Sequence, residues 1–178
     1  MELHVWGEAF GLPSIDPECL AAISYLDHVV PRRDWSLVAS NDVSVSPDSP
    51  RCTPALHHDG TWTSGYLNIV QYLAAHTSFS SADCDLTEAQ RADALAYASY
   101  LSSRGSALLA FFLYVSPSAW TELTRPAYSS LLRFPLTWTV PLKLRSAAIA
   151  KTEHLGWITW QPTSTRKMGL RSPRPRLR

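Results

Sequence analysis

Residues 53–73, TPALHHDGTWTSGYLNIVQYL, constrain the fold of this chain more than any other stretch, because they join a proline-entered strand, a tight turn, a second strand and an amphipathic helix with almost nothing in between. Asp59-Gly60 is a strong hairpin signal: a two-residue strand connection needs left-handed backbone at its centre, which Asp tolerates and Gly adopts freely. The strands then fall at 54–56 and 61–63, and His57 and His58 lie in the predicted turn region. Beyond them Leu67, Ile69, Val70, Leu73 and Ala74 recur at helical spacing and are expected to form one buried stripe.

The beginning of the chain supplies what this hairpin and helix need to pack with. Leu3-His4-Val5-Trp6 has strand composition, and residues 7–15 form a loop containing Pro13. Asp16 is the predicted N-cap of a helix, since Pro17 suits the first helical position and Glu18 the electropositive first turn. Cys19, Leu20, Ala22, Ile23 and Leu26 give that helix an apolar face, and Pro31 stops it. Residues 35–39, WSLVA, read as the next strand. A strand, a helix and a parallel strand, followed by a hairpin and a helix, predict a four-stranded mixed sheet covered by helices. That is the order of a thioredoxin-like domain, here over residues 1–76. Pro54 is its fold-determining residue: the Thr53–Pro54 bond that opens the third strand is expected to be cis, because a tertiary amide has a trans preference of only about 0.5–1 kcal/mol.

The rest of the chain predicts helices, so the fold class is α/β plus all-α. Residues 77–86 are a polar linker. Thr87 caps the next helix, with Gln90 completing a capping box. Ala92, Leu95, Ala96, Ser99, Leu108, Leu109 and Phe112 then follow in helical spacing, with a weak point at 102–106 around Gly105. A further helix starts near Ser116 or Ser118 and carries Trp120, Leu123, Ala127, Tyr128, Leu131 and Leu132, with a break or kink at Pro126. Residues 134–141, FPLTWTVP, are apolar and bounded by prolines, and read first as a buried connector. The alternative is a partner-facing patch of Phe134, Trp138 and Val140, because aromatic residues are enriched at interface centres. Residues 142–154 form a last helix, with Leu144, Ala147, Ala148 and Leu155 on one side. Residues 87–160 make only part of a helical domain, and the basic, proline-containing segment 161–178 cannot bury a core and is expected to be disordered. The abrupt change near Gln161 raises the expectation of a portion of a longer protein or of a misassigned gene end.

Charge and composition narrow the function classes. Residues 163–178 hold six of the 16 basic residues and none of the 15 acidic ones, so residues 1–162 carry ten basic against 15 acidic, a net −5. A mildly acidic body argues against a nucleic-acid surface there. No stretch approaches the roughly 20 apolar residues that cross a bilayer, and Glu2 stands where a secretory signal carries positive charge. Cys19, Cys52 and Cys84 show no CxxC spacing, and disulfides are not expected. Cys19 near a helix start is a candidate nucleophile, but its apolar surroundings and Glu18 argue for a packed thiol. Ser14 is a candidate activating hydroxyl and reads better as part of a loop approaching a helix cap. His57 and His58 are adjacent, and adjacent side chains on extended backbone diverge, so no metal site is expected. No GxSxG, HExxH or phosphate-loop motif occurs. The expectation is a chain with no catalytic, cofactor or metal site.

The order of elements resembles the N-terminal domain of glutathione transferases. HVWGEAFGLPSIDPECLAAISYL, TPAL, TWTSGYLNIVQYL and LTRPAYSSLLRFPLTWTVP together resemble the metaxin family over residues 1–157, above all its fungal subunit type. The most specific parts are GLPSIDPECLAA and FPLTWTVP. The resemblance implies a transferase-like, non-enzymatic subunit of the mitochondrial outer-membrane sorting and assembly machinery, on the cytosolic face. It implies as partners a β-barrel core subunit, a transferase-like sister subunit and β-barrel precursors, with membrane association through partners or a further segment. Transferases of this fold place an acidic residue and a serine where the helix after the hairpin begins, to receive a γ-glutamyl carboxylate. Gly65 and Tyr66 align there, and Ser64 is one place away. The alternative reading is a divergent glutathione-dependent transferase or reductase using Cys19 or Ser14. Partner contacts are expected at Phe134, Trp138 and Val140, with Trp62 and Tyr66 as further candidates.

Overall fold

The computed structural model describes residues 1–42, 45, 53–76 and 86–153. The predicted linker, apart from residue 86, lies outside them, as do Cys52, Cys84, Leu155 and the basic segment 161–178.

The first part of the chain is a small mixed sheet with two long helices on one face. Its elements are β1 (Glu2–Val5), α1 (Pro17–Val29), β2 (Ser36–Ala39), β3 (Ala55–His58), β4 (Thr61–Ser64) and α2 (Tyr66–Ala75). The strand order is β2-β1-β3-β4, with β1 parallel to β2 and antiparallel to β3, and β3 antiparallel to β4. This arrangement is compatible with the thioredoxin-like order expected from the sequence. Asp16 caps α1, its carboxylate accepting the Cys19 N–H at 2.9 Å, and Pro17 takes the first helical position. Asp59 and Gly60 both have positive φ, 47° and 77°, as the two-residue turn requires. The Thr53–Pro54 and Phe134–Pro135 bonds are cis.

Strand alternation decides which side chains enter the core. Leu3, Val5 and Leu56 point toward Cys19, Ala22 and Leu26 of α1 and Ile69 and Leu73 of α2. Glu2, His4, His57 and Trp62 share the other face: Glu2 pairs with His57, and His57 with Trp62. The two histidines are therefore strand residues and not part of the turn. Only Asp59 and Gly60 are needed to reverse the chain, which leaves the ladder running through His58–Thr61. His57 stacks on Trp62 with centroids 4.6 Å apart, while His58, on the helix side, shares a 2.9 Å hydrogen bond with the Tyr72 hydroxyl.

The stripe expected on α2 is narrower than the pattern implied. Ile69 and Leu73 are buried one turn apart, but Leu67 is 56% exposed, since two residues along a helix rotate by about 200° and carry it to the opposite side.

The helical part begins with α3 (Glu88–Tyr100), whose Thr87 and Gln90 form the expected capping box. A π-helical turn, Leu101–Gly105, lies at the weak point around Gly105. It leads into α4 (Ser106–Ala110) and a second π turn, Phe111–Val115. After Ser116 come α5 (Pro117–Ala119), a third π turn at Trp120–Thr124, and α6 (Arg125–Leu131). Pro126 falls where the π turn Trp120–Thr124 runs directly into α6, with Thr124 and Arg125 both helical, so the helix is bulged there and not broken. Burial departs from expectation along α3 and α4. No residue of α3 is buried, Ala107 is the buried residue of α4, and Leu95, Leu108, Leu109 and Phe112 are exposed.

The apolar run 134–141 is not a buried connector. It contains the start of α7 (Leu136–Glu153), which runs on through Pro141 and so begins six residues before the expected position. Pro141 removes one backbone hydrogen bond, but its ring is fully buried, as Ala148 and Thr152 are further along the same side. The two parts share one core: Tyr128 and Leu132 pack with Leu3, Val5 and Trp6, and Val140 and Leu144 lie against that cluster.

Candidate functional site

Two places merit attention: the region where a thioredoxin-like fold handles thiols, and the exposed start of α7. At the first, Cys19 is fully buried on α1. Burial pushes its thiol well above the ordinary range, and the neighbouring Asp16 carboxylate adds to the effect. Nearly all of it is therefore neutral thiol at physiological pH, the unreactive form. Ser14 is also fully buried, and its hydroxyl accepts the Asp16 N–H at 3.3 Å as part of the loop that leads into the cap. Neither group faces solvent.

The start of α2 holds no acidic residue or serine side chain. Gly65 stands at its N-cap with φ 88°, a conformation that suits glycine, and its N–H donates to the Pro54 carbonyl at 2.8 Å. Tyr66 is half-buried and meets Tyr25 edge-on at 6.5 Å. Ser64 ends β4 on the face shared with His4 and Ala55, and its buried hydroxyl has no hydrogen-bond partner among the described residues.

Between the two parts lies a cavity of about 150 Å³. Asp16 and Glu18 from the start of α1 face Leu109, Leu113 and Tyr114 across it, with Lys151 of α7 at its side. Burial raises both carboxyls. For Glu18 the charge on Asp16 adds to the rise, and Lys151 opposes it in both. The sequence gives no local sign of this grouping, because Lys151 is more than 130 positions from Asp16 and comes close only through the shared core. Among the described residues no three His, Cys, Asp or Glu are grouped to hold a metal ion, and no helix is long and apolar enough to cross a membrane.

At the second place, Phe134 is 83% and Trp138 66% exposed, with Leu136 and Leu142 also on the surface. Val140 is turned inward and half-buried against the core, so it separates from the two aromatic residues with which it was grouped. Trp62 is half-buried between His4 and His57, on the sheet face away from α1 and α2.

With this geometry in hand, comparison with known proteins identifies the chain's relatives. The family described as outer mitochondrial membrane transport complex protein, Tom37, matches residues 19–145. A metaxin-3 of Xenopus laevis is 30% identical over 84% of this chain and 46% of its own length, and a metaxin-3 of Danio rerio 28% identical over 85% and 46%. A human metaxin-1 is 30% identical over 82% of this chain and 30% of its own length. The chain belongs to this metaxin-type family. It spans less than half the length of these relatives.

Proposed function

We propose that this chain is a non-enzymatic subunit of the mitochondrial outer-membrane sorting and assembly complex, assisting the insertion or release of β-barrel precursors from the cytosolic face. In this reading residues 1–76 are a transferase-type thioredoxin-like domain, 77–86 the linker, 87–160 part of the helical domain that follows it in transferases, and 161–178 a basic tail. The fungal subunit type is the finer placement within the family. The carrying observation is the closed environment of Cys19: the thiol nearest the fold's reactive position is sealed and held neutral. The Gly65–Tyr66 start of α2, without a carboxylate or serine, supports the same reading. The family match, to an outer mitochondrial membrane transport complex protein, supports a place in a complex of that membrane. Its partners are a β-barrel core subunit, a transferase-like sister subunit and the precursors themselves.

The test is native-level tagging of the longest transcript product and purification from solubilised outer membranes. Recovery of the β-barrel core subunit is expected; its absence sinks the reading. The rival, a glutathione-dependent enzyme, requires retention on immobilised glutathione and conjugating activity lost in Cys19→Ala or Ser14→Ala, and neither is expected.

A further inference from the structure

The exposed apolar side chains at the start of α7 sit in an unusual charge setting. Residues 123–152 contain five basic residues, Arg125, Arg133, Lys143, Arg145 and Lys151, and no acidic one. Residues 1–122 contain five basic and fourteen acidic residues, a net −9. The cationic character of the described chain is thus concentrated in the segment that exposes Phe134, Leu136, Trp138 and Leu142.

The placement follows from helix geometry. Pro141, Ala148 and Thr152 fix the inward side of α7. At about 100° per residue, Thr139 and Lys143 then point outward, Trp138 and Leu142 lie together on one flank, and Leu136 in the first turn falls on the other flank. Phe134 and the exposed Arg133 extend the same end of the helix. Arg145 is committed elsewhere: its Nε donates to the Tyr114 carbonyl at 3.1 Å, and its guanidinium lies 5.0 Å from the Trp120 ring centre. Arg133 and Lys143 are exposed beside the apolar cluster.

We propose that this end of α7 docks on an anionic lipid surface, with Phe134, Trp138 and Leu142 entering the boundary between headgroups and acyl chains and Arg133 and Lys143 meeting the lipid charge. Aromatic rings and leucines partition into that layer, while long basic side chains reach outward to the headgroups. Anionic lipid is the complementary charge, and basic residues close to such a surface add to apolar insertion. Nucleic acid is also anionic, but Leu142 has no π face on which a base stacks. The inference goes beyond the assembly role and stands on exposure and charge alone, so failure of vesicle binding leaves the co-purification result untouched.

The experiment is flotation of the full chain with phosphatidylcholine vesicles, with and without about one-third phosphatidylglycerol, at low and high salt. Wild type is compared with Phe134→Ser/Trp138→Ser and with Arg133→Glu/Lys143→Glu, and far-UV circular dichroism checks folding of each. Wild type should bind the anionic vesicles at least about tenfold better than the neutral ones, weaken at high salt, and lose about tenfold or more in each double variant. The basic residues of 163–178 are present in every variant and raise all baselines alike. Should the serine variant unfold, the charge-reversed pair, which lies wholly on the surface, decides the matter. No vesicle binding, or binding equal in wild type and folded variants, overturns the proposal. So does a Trp138-dependent dimer, or a Trp138-dependent complex with a single-stranded oligonucleotide or a protein partner, when no vesicles are bound.

Discussion

The indole of Trp6 meets the ring of Tyr128 edge-on, with centroids 5.2 Å apart, and joins the end of β1 to α6. Behind this contact the Tyr128 hydroxyl shares a 2.8 Å hydrogen bond with that of Tyr114. Burial pushes the Tyr114 hydroxyl up to about 12, and that of Tyr128 rises for the same reason with Tyr114 beside it. Tyr128→Phe leaves one buried hydroxyl without its partner and should cost about 1–3 kcal/mol, whereas replacing both tyrosines by Phe should recover much of that loss. Tyr128→Ala removes the ring contact as well and should cost about 3–5 kcal/mol. Urea unfolding of wild type, Tyr114→Phe, Tyr128→Phe and the double Phe variant measures the cycle. A double variant destabilised by the sum of the two single Phe variants would show that the shared hydrogen bond is not what ties the pair together.

Cys19 offers a test that depends on reactivity. Its buried, neutral thiol should alkylate at least about a hundredfold more slowly in the native chain than in denaturant at the same mildly alkaline pH. Mass spectrometry of the peptide containing Cys19 separates it from the other two cysteines. Comparable native and denatured rates would reopen the thiol-enzyme alternative.

The sequence made the sheet part legible because its signals are local. Asp16 with Pro17 marked a helix start, Asp59 with Gly60 a turn, and Ile69 with Leu73 a buried helix face. The misreadings came where tertiary contacts decide. Leu67 is apolar but falls on the wrong side of α2. Leu95, Leu108 and Phe112 keep helical spacing on helices that bury almost nothing. Pro135 and Pro141 looked like the ends of a connector, yet burial of the Pro141 ring allows α7 to run through it. At the candidate sites, the packed state of Cys19 was readable from its apolar neighbours. The approach of Lys151 to Asp16 and Glu18 was not, because it depends on how α7 lies against α1.

Asp16 should reveal itself through pH. Its folded carboxyl lies above the ordinary value of 3.8, chiefly because it is buried. As pH rises past the ordinary value, the unfolded chain releases this proton while the folded chain still holds it. Stability therefore falls through that window and levels off above the raised folded value. Glu18 contributes a slope of the same sign. Asp16→Asn keeps the cap and removes the Asp16 share, so its stability should fall less steeply with pH and match or exceed wild type at neutrality. Asp16→Ala also lacks the slope but loses the cap, and should lie about 1 kcal/mol below Asn. Urea midpoints from about pH 4 to 7 give both comparisons. An Asn variant with the wild-type pH slope contradicts the assignment.

The join between β1 and the helical part is also tight at Gly7. Its N–H donates to the Asn41 side-chain oxygen at 2.7 Å, and Asn41 holds a left-handed backbone with φ 52°. A Cβ at Gly7 would stand 2.8 Å from Leu131 Cδ2 and 3.0 Å from that same Asn41 oxygen. Gly7→Ala must therefore displace Leu131 or break the Asn41 bond, and overpacking of this kind should cost about 1–3 kcal/mol. Asn41→Gly keeps the backbone conformation and loses only the hydrogen bond, at about 1 kcal/mol. Asn41→Ala adds left-handed strain and should be the worse of the two by about 1–2 kcal/mol. If the bond to Asn41 is what Gly7→Ala disturbs, the Gly7→Ala/Asn41→Gly double variant will be less destabilised than the sum of the singles. Strict additivity assigns the cost to Leu131, and pairing Gly7→Ala with Leu131→Ala then relieves it.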